Sequence, residues 1–289
     1  MTDGRFVGLI RSASQNDTAY FTRNQLYGTY CRRQKKPIMQ GLIAGAIAAL
    51  AGTFCAFSAD VPMFVAVLLF LVSGIIIAST FLVPPTTLTR AEFMRLIDRW
   101  MADDKSIDRL IAAPSLGDAP PPSDEPDLYD YGVQRLLIVQ RDELVDWLVL
   151  NNVHAEQAML VLSVNGYPGY LLEHTKRVLS EQPDLMIHLL HDADVSVAQM
   201  RSQVDRLGLP LEGHEVVDLG FSAEDFRRLK RAKNIDRENR DRTLPVDVLA
   251  LPFLSTGLAA CFASNVTMSH LLNEYAREQA VASSWSDFG

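Results

Sequence analysis

From about Tyr129 onward, short continuous apolar runs alternate with amphipathic segments, and that alternation narrows the choice of folds more than any other feature of the chain. Arg135–Gln140 (RLLIVQ), Ala158–Val164 (AMLVLSV), Leu185–His191 (LMIHLLH) and Glu215–Leu219 read as strands. Asp142–Asn151, Tyr170–Glu181, Ser196–Leu207 and Ser222–Lys233 read as the helices that follow them. Strands that are apolar throughout, rather than at every second residue, are buried on both faces, which requires a parallel sheet covered by crossover helices. The expected fold class is therefore α/β, with a parallel sheet of four or more strands. Ligands of such sheets lie beyond the carboxyl ends of the strands. Gln140, Asn165 to Pro168, Asp192, Asp194 and Asp218 fall at or near that edge.

Upstream, Ile38–Ala59 and Val61–Val83 are runs of 22 and 23 residues without a formal charge. About 20 apolar residues in helical form span a bilayer core. The expectation is a two-helix transmembrane hairpin over 38–84, turning at Asp60. Arg5, Arg11, Arg23, Arg32, Arg33, Lys35 and Lys36 precede it, Arg90, Arg95 and Arg99 follow it, and its turn carries no basic residue. Lysine and arginine concentrate on the cytoplasmic side, so the hairpin predicts a multi-pass protein of the cytoplasmic (inner) membrane, both termini cytoplasmic, with lipid as a partner. Gly41, Gly45 and Ala49 lie four residues apart on one helix face. Small residues at that spacing let backbones approach closely, either within the hairpin or at a homo-oligomer seam.

The remaining divisions follow from composition. Residues 1–37 form a basic N-terminal segment. Thr89 and Glu92 have capping-box spacing, and Phe93, Leu96, Ile97, Trp100 and Met101 recur at helical spacing, which makes 85–112 an amphipathic helical segment. It packs on the α/β domain or lies on a membrane surface. Residues 113–127 hold five prolines among Asp and Ser and read as a stiff linker. The α/β domain spans 128–243. In 244–289, Val246–Leu251 reads as a strand, Phe253–Phe262 as a buried helix and Leu271–Ala280 as a closing helix. Asp247, Pro245 and Pro252 argue against a third span there. A net charge of −8 argues against a general polyanion binder, though local patches can differ, and three cysteines exclude a disulfide-stapled secreted domain. Against that acidic background, Arg227, Arg228, Lys230, Arg231, Lys233, Arg237, Arg240 and Arg242 form a basic stretch suited to a phosphate backbone or an anionic leaflet. No Walker A, dinucleotide-binding glycine or nucleophile-elbow motif is present.

Asp192 and Asp194 stand two residues apart where the third strand ends. Alternation along a strand would point both carboxylates past the sheet edge. No Lys or Arg lies in their own loop, so a divalent cation such as Mg²⁺ would relieve their repulsion. The alternative is Asp192 capping the next helix and Asp194 solvated.

Four segments in this order, RLLIVQRDELVDWL, LSVNGYPG, IHLLHDAD and VVDLGFSAEDF, resemble the Toprim domain of the topoisomerase VI A subunit and its meiotic double-strand-break relatives. The resemblance covers about residues 134–232, and Gly166-Tyr167-Pro168 and Leu219–Asp225 are its more specific pieces. It implies a four-stranded parallel sheet and a Mg²⁺ site used in nucleic-acid strand cleavage. The chain departs from the family's pattern where chemistry would need it. The family's Glu at the end of the first strand is Gln140, and an amide does not shuttle protons. Glu143, one turn on, is the candidate substitute acid. The family's Lys before G-Y-P is Asn165, and Val195-Ser196-Val197 replace the Pro and Gly after D-x-D. No winged-helix domain bearing a nucleophilic tyrosine fits before the apolar runs. The expectation is a degenerate, membrane-anchored Toprim-like pseudoenzyme. Asp192 and Asp194 are its metal ligands, Gln140 and Glu143 stand at the catalytic position, and Asn165, Gly166, Arg227, Arg228 and Arg231 bind phosphate or nucleic acid. An active Mg²⁺-dependent nuclease and a non-catalytic scaffold are the alternatives.

Overall fold

The structure, a computed structural model, describes residues 2–33, 45–51, 53, 63–82, 88–103, 105–117, 132–221, 245–264, 266–268 and 270–271. It separates into two compact units, one of residues 1–30 and 89–289 and one of residues 31–88.

The larger unit is built on a four-stranded parallel sheet. Strands β3 (Arg135–Val139), β4 (Met159–Ser163), β5 (Met186–Leu190) and β6 (Val216–Asp218) lie in the spatial order β4-β3-β5-β6. Leu137 pairs in register with Val161 on one side and His188 on the other. Helices α5 (Asp142–Leu150), α7 (Gly169–Glu181) and α8 (Val197–Arg206) make the crossovers, with a one-turn helix α6 (Val153–Glu156) before β4. One sheet face, with Leu136, Ile138, Leu160, Leu162, Ile187 and Leu189, packs on Leu171, Val178 and Leu179 of α7 and Met200 and Val204 of α8. Leu137, Val139, Met159 and Val161 are equally buried, as are Leu144, Val145, Trp147 and Leu148 of α5. The uniform apolarity of the strands is thus satisfied by cover on both faces, as the alternating pattern predicts. From β3 the chain moves outward to β4, then crosses back over β3 to β5 and on to β6. The strand order therefore reverses between β3 and β5, and the crevice at that reversal is where open α/β sheets hold ligands.

The N-terminal residues contribute to this unit as well. Helix α1 (Asp3–Ala13) and helix α2 (Arg23–Arg33) flank a two-residue strand β1 (Phe21–Thr22), which pairs in parallel with β2 (Leu110–Ile111). Helix α4 (Arg90–Ala102) carries the expected capping box, with Thr89 accepting from the Glu92 N–H and Glu92 accepting from the Thr89 N–H. Its apolar stripe buries Phe93 and Ile97 completely. Phe93 meets Tyr30 at 4.9 Å and Tyr27 at 5.5 Å between ring centroids, and Phe6 of α1 lies 4.7 Å from Trp100. The amphipathic stripe of 85–112 is therefore a packing stripe of this unit. Asn151, at the end of α5, accepts from the Tyr20 N–H and donates to the Tyr20 carbonyl, joining this N-terminal layer to the sheet.

Toward the C-terminus, Val246–Val248 forms a single 3-10 turn instead of the expected strand. Pro245 supplies no N–H for a ladder, and the Val246 N–H is spent on the Asp192 side chain. The buried helix expected over Phe253–Phe262 is helix α9 (Leu251–Ser264), with Leu254, Leu258, Cys261 and Phe262 buried. Phe262 contacts His188 of β5 edge to face at 4.7 Å. The expected helices over 222–233 and 271–280 lie outside the described residues or nearly so.

In the smaller unit, residues 45–51 and helix α3 (Met63–Leu82) are helical. The Ser73 hydroxyl is buried and donates to the Gly45 carbonyl at 2.8 Å. Gly45 is buried where its carbonyl takes that bond, and Gly41 lies outside the described residues. The expected transmembrane hairpin is not supported: among the described residues no helix is long and apolar enough to cross a membrane. A charge-free run in sequence need not be one helix of the same length. The first run yields only residues 45–51 and 53 as described helix, and in α3 the side chains of Ala66 and residues 76–82 lie outside the described residues. The multi-pass, inner-membrane placement with both termini cytoplasmic rested on that hairpin and is corrected with it.

Candidate functional site at the sheet reversal

Strand β3 ends at Val139, and the next two residues turn over the carboxyl edge. The Gln140 N–H donates to the Leu190 carbonyl at 3.1 Å, which extends the pairing of β3 with β5 by one bond. The Gln140 side-chain oxygen accepts the Asp192 N–H at 2.7 Å. Gln140 is therefore a fastener of the turn after β5.

Strand β5 ends at Leu190, two residues before Asp192. Asp192 to Val195 form a turn closed by the Val195 N–H on the Asp192 carbonyl at 3.2 Å. Strand alternation stops before the Asp pair, so it does not project the two carboxylates together. Asp192 is buried and Asp194 is exposed. Helix α8 is capped by Ser196 and Gln199, not by Asp192. Among the described residues no group of three or more His, Cys, Asp or Glu side chains is placed to hold a metal ion.

The cation that Asp192 requires comes from the turn after β3. Arg141 Nε donates to Asp192 Oδ2 at 3.0 Å and Nη2 to Oδ1 at 3.4 Å. The same Nη2 donates to Oδ1 of Asp247. Asp247 is fully buried in the 3-10 turn between two fully buried valines. Its carboxylate also accepts from the Thr22 hydroxyl of β1 and, at 3.2 Å on each oxygen, from the Asn24 amide of α2. Arg90 Nε donates to the Asn24 carbonyl oxygen at 3.0 Å. One guanidinium thus serves two carboxylates in the crevice where the strand order reverses.

The electrostatics follow from that two-to-one ratio. Burial disfavours charge on Arg141, but Asp247 and then Asp192 outweigh it and hold the guanidinium firmly protonated. Asp247 resists its own burial through Arg141, Thr22 and Asn24 and is held below the usual carboxylate range. Asp192 goes the other way. Burial lifts its carboxyl above that range; Arg141 opposes the rise and the charge of Asp247 adds to it. A charge buried in protein is tolerated only when paired and hydrogen-bonded.

His191 closes the flank toward β6. Its Nδ1 lies 2.8 Å from the Asp192 carbonyl and its Nε2 3.1 Å from Asp218 Oδ1. Burial works against its charge, but Asp218 and the Asp192 carbonyl raise its pKa above the ordinary value. Asp218 also accepts the Gly220 N–H at 2.8 Å. A Cβ on Gly220 would lie 2.1 Å from His191 Nε2, so the glycine of the L-G-F segment is there to admit the ring.

The loop after β4 serves a second buried acid. Gly166 has φ +76°, a conformation open to glycine, and the Tyr167–Pro168 peptide is cis. The Tyr167 hydroxyl donates to Asp146 at 2.6 Å and accepts the Leu116 N–H. Burial, then the bond to Asp146, pushes its pKa well up. Asp146, fully buried in α5, accepts the Ser115 N–H and hydroxyl at 2.6 and 2.7 Å. The exposed Asn165 amide donates to Asp142 at 3.0 Å.

Of the residues that the sequence nominates, Gln140, Asn165, Gly166 and Asp192 gather along the carboxyl edge, whereas Glu143 is half-buried in the first turn of α5. Arg227, Arg228 and Arg231 lie outside the described residues. Sequence reasoning missed Arg141, Asp247, Thr22 and Asn24. One signal was available: an acid set between valines in an apolar stretch must find a cation, and Arg141 stands directly after a strand end. Searches of protein-family models, curated proteins and solved structures find no match to this chain.

Proposed function

We propose that this chain is a non-catalytic α/β module of Toprim-like architecture that binds a phosphate-bearing ligand, nucleic acid included, without cutting it. The bridging of Asp192 and Asp247 by Arg141 carries this reading. The positive charge a divalent ion would bring to Asp192 is already supplied by the guanidinium. Gln140 stands where the resemblance puts an acid, and its side chain is spent on the Asp192 N–H. Asp194 is exposed, and Glu143 is half-buried in the first turn of α5, apart from the Asp192 carboxylate's partners. The groups that would have to converge for metal-assisted cleavage are thus divided between internal fastening and bulk water. The basic stretch from Arg227 to Arg242 is the part of the sequence best suited to phosphates.

The test uses the full chain with supercoiled plasmid and with a labelled duplex. Binding should weaken steeply with salt, without nicking in millimolar Mg²⁺ or Mn²⁺, and neither ion should raise the melting temperature. Divalent-dependent nicking that disappears in Asp194→Asn would overturn this reading in favour of a nuclease.

A further inference from the structure

The groups that hydrogen-bond the Asp247 carboxylate are all donors, and their neighbours hold them in that role. The Thr22 hydroxyl accepts the Gln25 N–H at 3.2 Å, which leaves its proton free to point at Asp247. The Asn24 carbonyl oxygen accepts from Arg90, which turns its NH₂ toward the same carboxylate. Arg141 Nη2 completes the set. Three donors from two parts of the chain, Thr22 with Asn24 and the remote Arg141, therefore converge, already oriented, on two oxygens of one anion. Their meeting point is the β3/β5 reversal, the place an open α/β sheet offers a ligand.

We propose that Thr22, Asn24 and Arg141 form a binding site for a small oxyanion, a phosphate or a carboxylate group, and that Asp247 fills this site in cis. Asp247 is the stand-in for the ligand. It brings two oxygens and one negative charge, and the turn Val246–Val248 is the strap that seats it. Ligand and Asp247 exclude each other, because Arg141 already balances two carboxylates and a third anion would have no partner. The Arg141 side chain is one-quarter exposed, which gives an entering oxyanion its first contact. The site is thereby closed by its own chain, through a turn whose three residues are fully buried. This rests on the reading that the carboxyl edge binds rather than cuts.

The experiment is a rescue. Asp247→Ala in the full chain empties the cradle of its anion. Its melting temperature is followed in EDTA with phosphate, acetate or chloride at matched ionic strength. Phosphate or acetate should restore the variant saturably by roughly 3 °C or more beyond chloride, as mass action requires of a ligand that binds only the folded state. Wild type should show no such difference. Adding Thr22→Val should remove most of the rescue, and the relative size of the two responses assigns the oxyanion as phosphate or carboxylate. Equal responses to all three salts, or the same response in wild type, would overturn the proposal. Should Asp247→Ala fold poorly, its refolding yield from urea is read in the same salts. A several-fold gain over chloride supports the site, and equal yields overturn it. Because EDTA removes divalent ions, a metal-dependent nuclease, the outcome that defeats the preceding reading, would leave this result unchanged.

Discussion

Two buried aspartates sew remote segments of this chain to its sheet, and they do so with different chemistry. Asp247 is bonded by a guanidinium, a hydroxyl and an amide. Asp146 is bonded by a backbone N–H and two hydroxyls, all neutral. The first fastener joins β1, α2 and the 3-10 turn to the crevice at the sheet reversal. The second joins residues 115–116 and the Tyr167 loop to α5. Both answer the same demand, that a buried carboxyl group find donors for its oxygens. They differ in what removal would leave behind. Taking away the guanidinium strands two acids; taking away a hydroxyl strands one bond.

The largest effect should come from Arg141→Ala. With the shared cation gone, Asp192 and Asp247 remain buried without a counter-charge, and a loss of about 3–5 kcal/mol is typical for one broken partner of a buried pair. Urea denaturation of the full chain measures it. A loss below about 1 kcal/mol, the range of an exposed ion pair, would mean that the cluster is solvated and that the comparison with Asp146 fails.

Next is the acid limb of stability. His188, in the middle of β5, is pushed down to about 4 by burial, with Arg135 adding to the effect. Its folded pKa lies below the unfolded value near 6.5, so the unfolded chain takes up the proton first. Stability is unaffected above about pH 6.5 and falls as the pH drops from there toward 4, by about 3 kcal/mol at most. His191 has the opposite sign. Its raised pKa contributes stability below pH 6.5 that is lost as pH rises through the folded value. Denaturation midpoints from pH 4 to 8 should show His188→Leu flattening the acid limb and His191→Gln flattening the neutral one. An acid limb unchanged in His188→Leu would place the titrating group elsewhere.

Asp146→Asn should cost less than Arg141→Ala, about 1–3 kcal/mol. The amide keeps one acceptor oxygen but turns an NH₂ toward groups that donate. If instead the two losses are equal, the contrast between charged and neutral fastening is empty. Smallest is Thr22→Val, which removes one hydroxyl from Asp247 while Arg141 and Asn24 remain, and should cost about 1 kcal/mol. A loss as large as that of Arg141→Ala would mean that the hydroxyl, not the guanidinium, carries the site.

The sheet was legible because its signal is local. Four apolar runs and the helices between them are set by burial on both faces, and β3, β4 and β5 fall within a residue or two of the limits that the pattern predicts. The capping box at Thr89 and Glu92 was legible for the same reason, since both partners lie within one turn. Val246–Leu251 misled, because a short apolar run is compatible with a strand until the partner of its N–H is known. The Asp192–Asp194 pair misled in the same way: its spacing was visible, but the point where the strand stops, and the cation waiting there, were not.

By itself, then, the sequence determined that this chain folds as an α/β protein, which segments carry the sheet, and that its polar turns gather along one edge. Periodicity and burial act between residues close in sequence, so they can be read there. Only the tertiary structure decided what stands in that edge. Thr22, Asn24, Arg141, Asp192 and Asp247 are up to 225 residues apart in sequence, and no local pattern couples them. They meet because buried carboxylates must be paired, and the fold brings their partners together from remote parts of the chain.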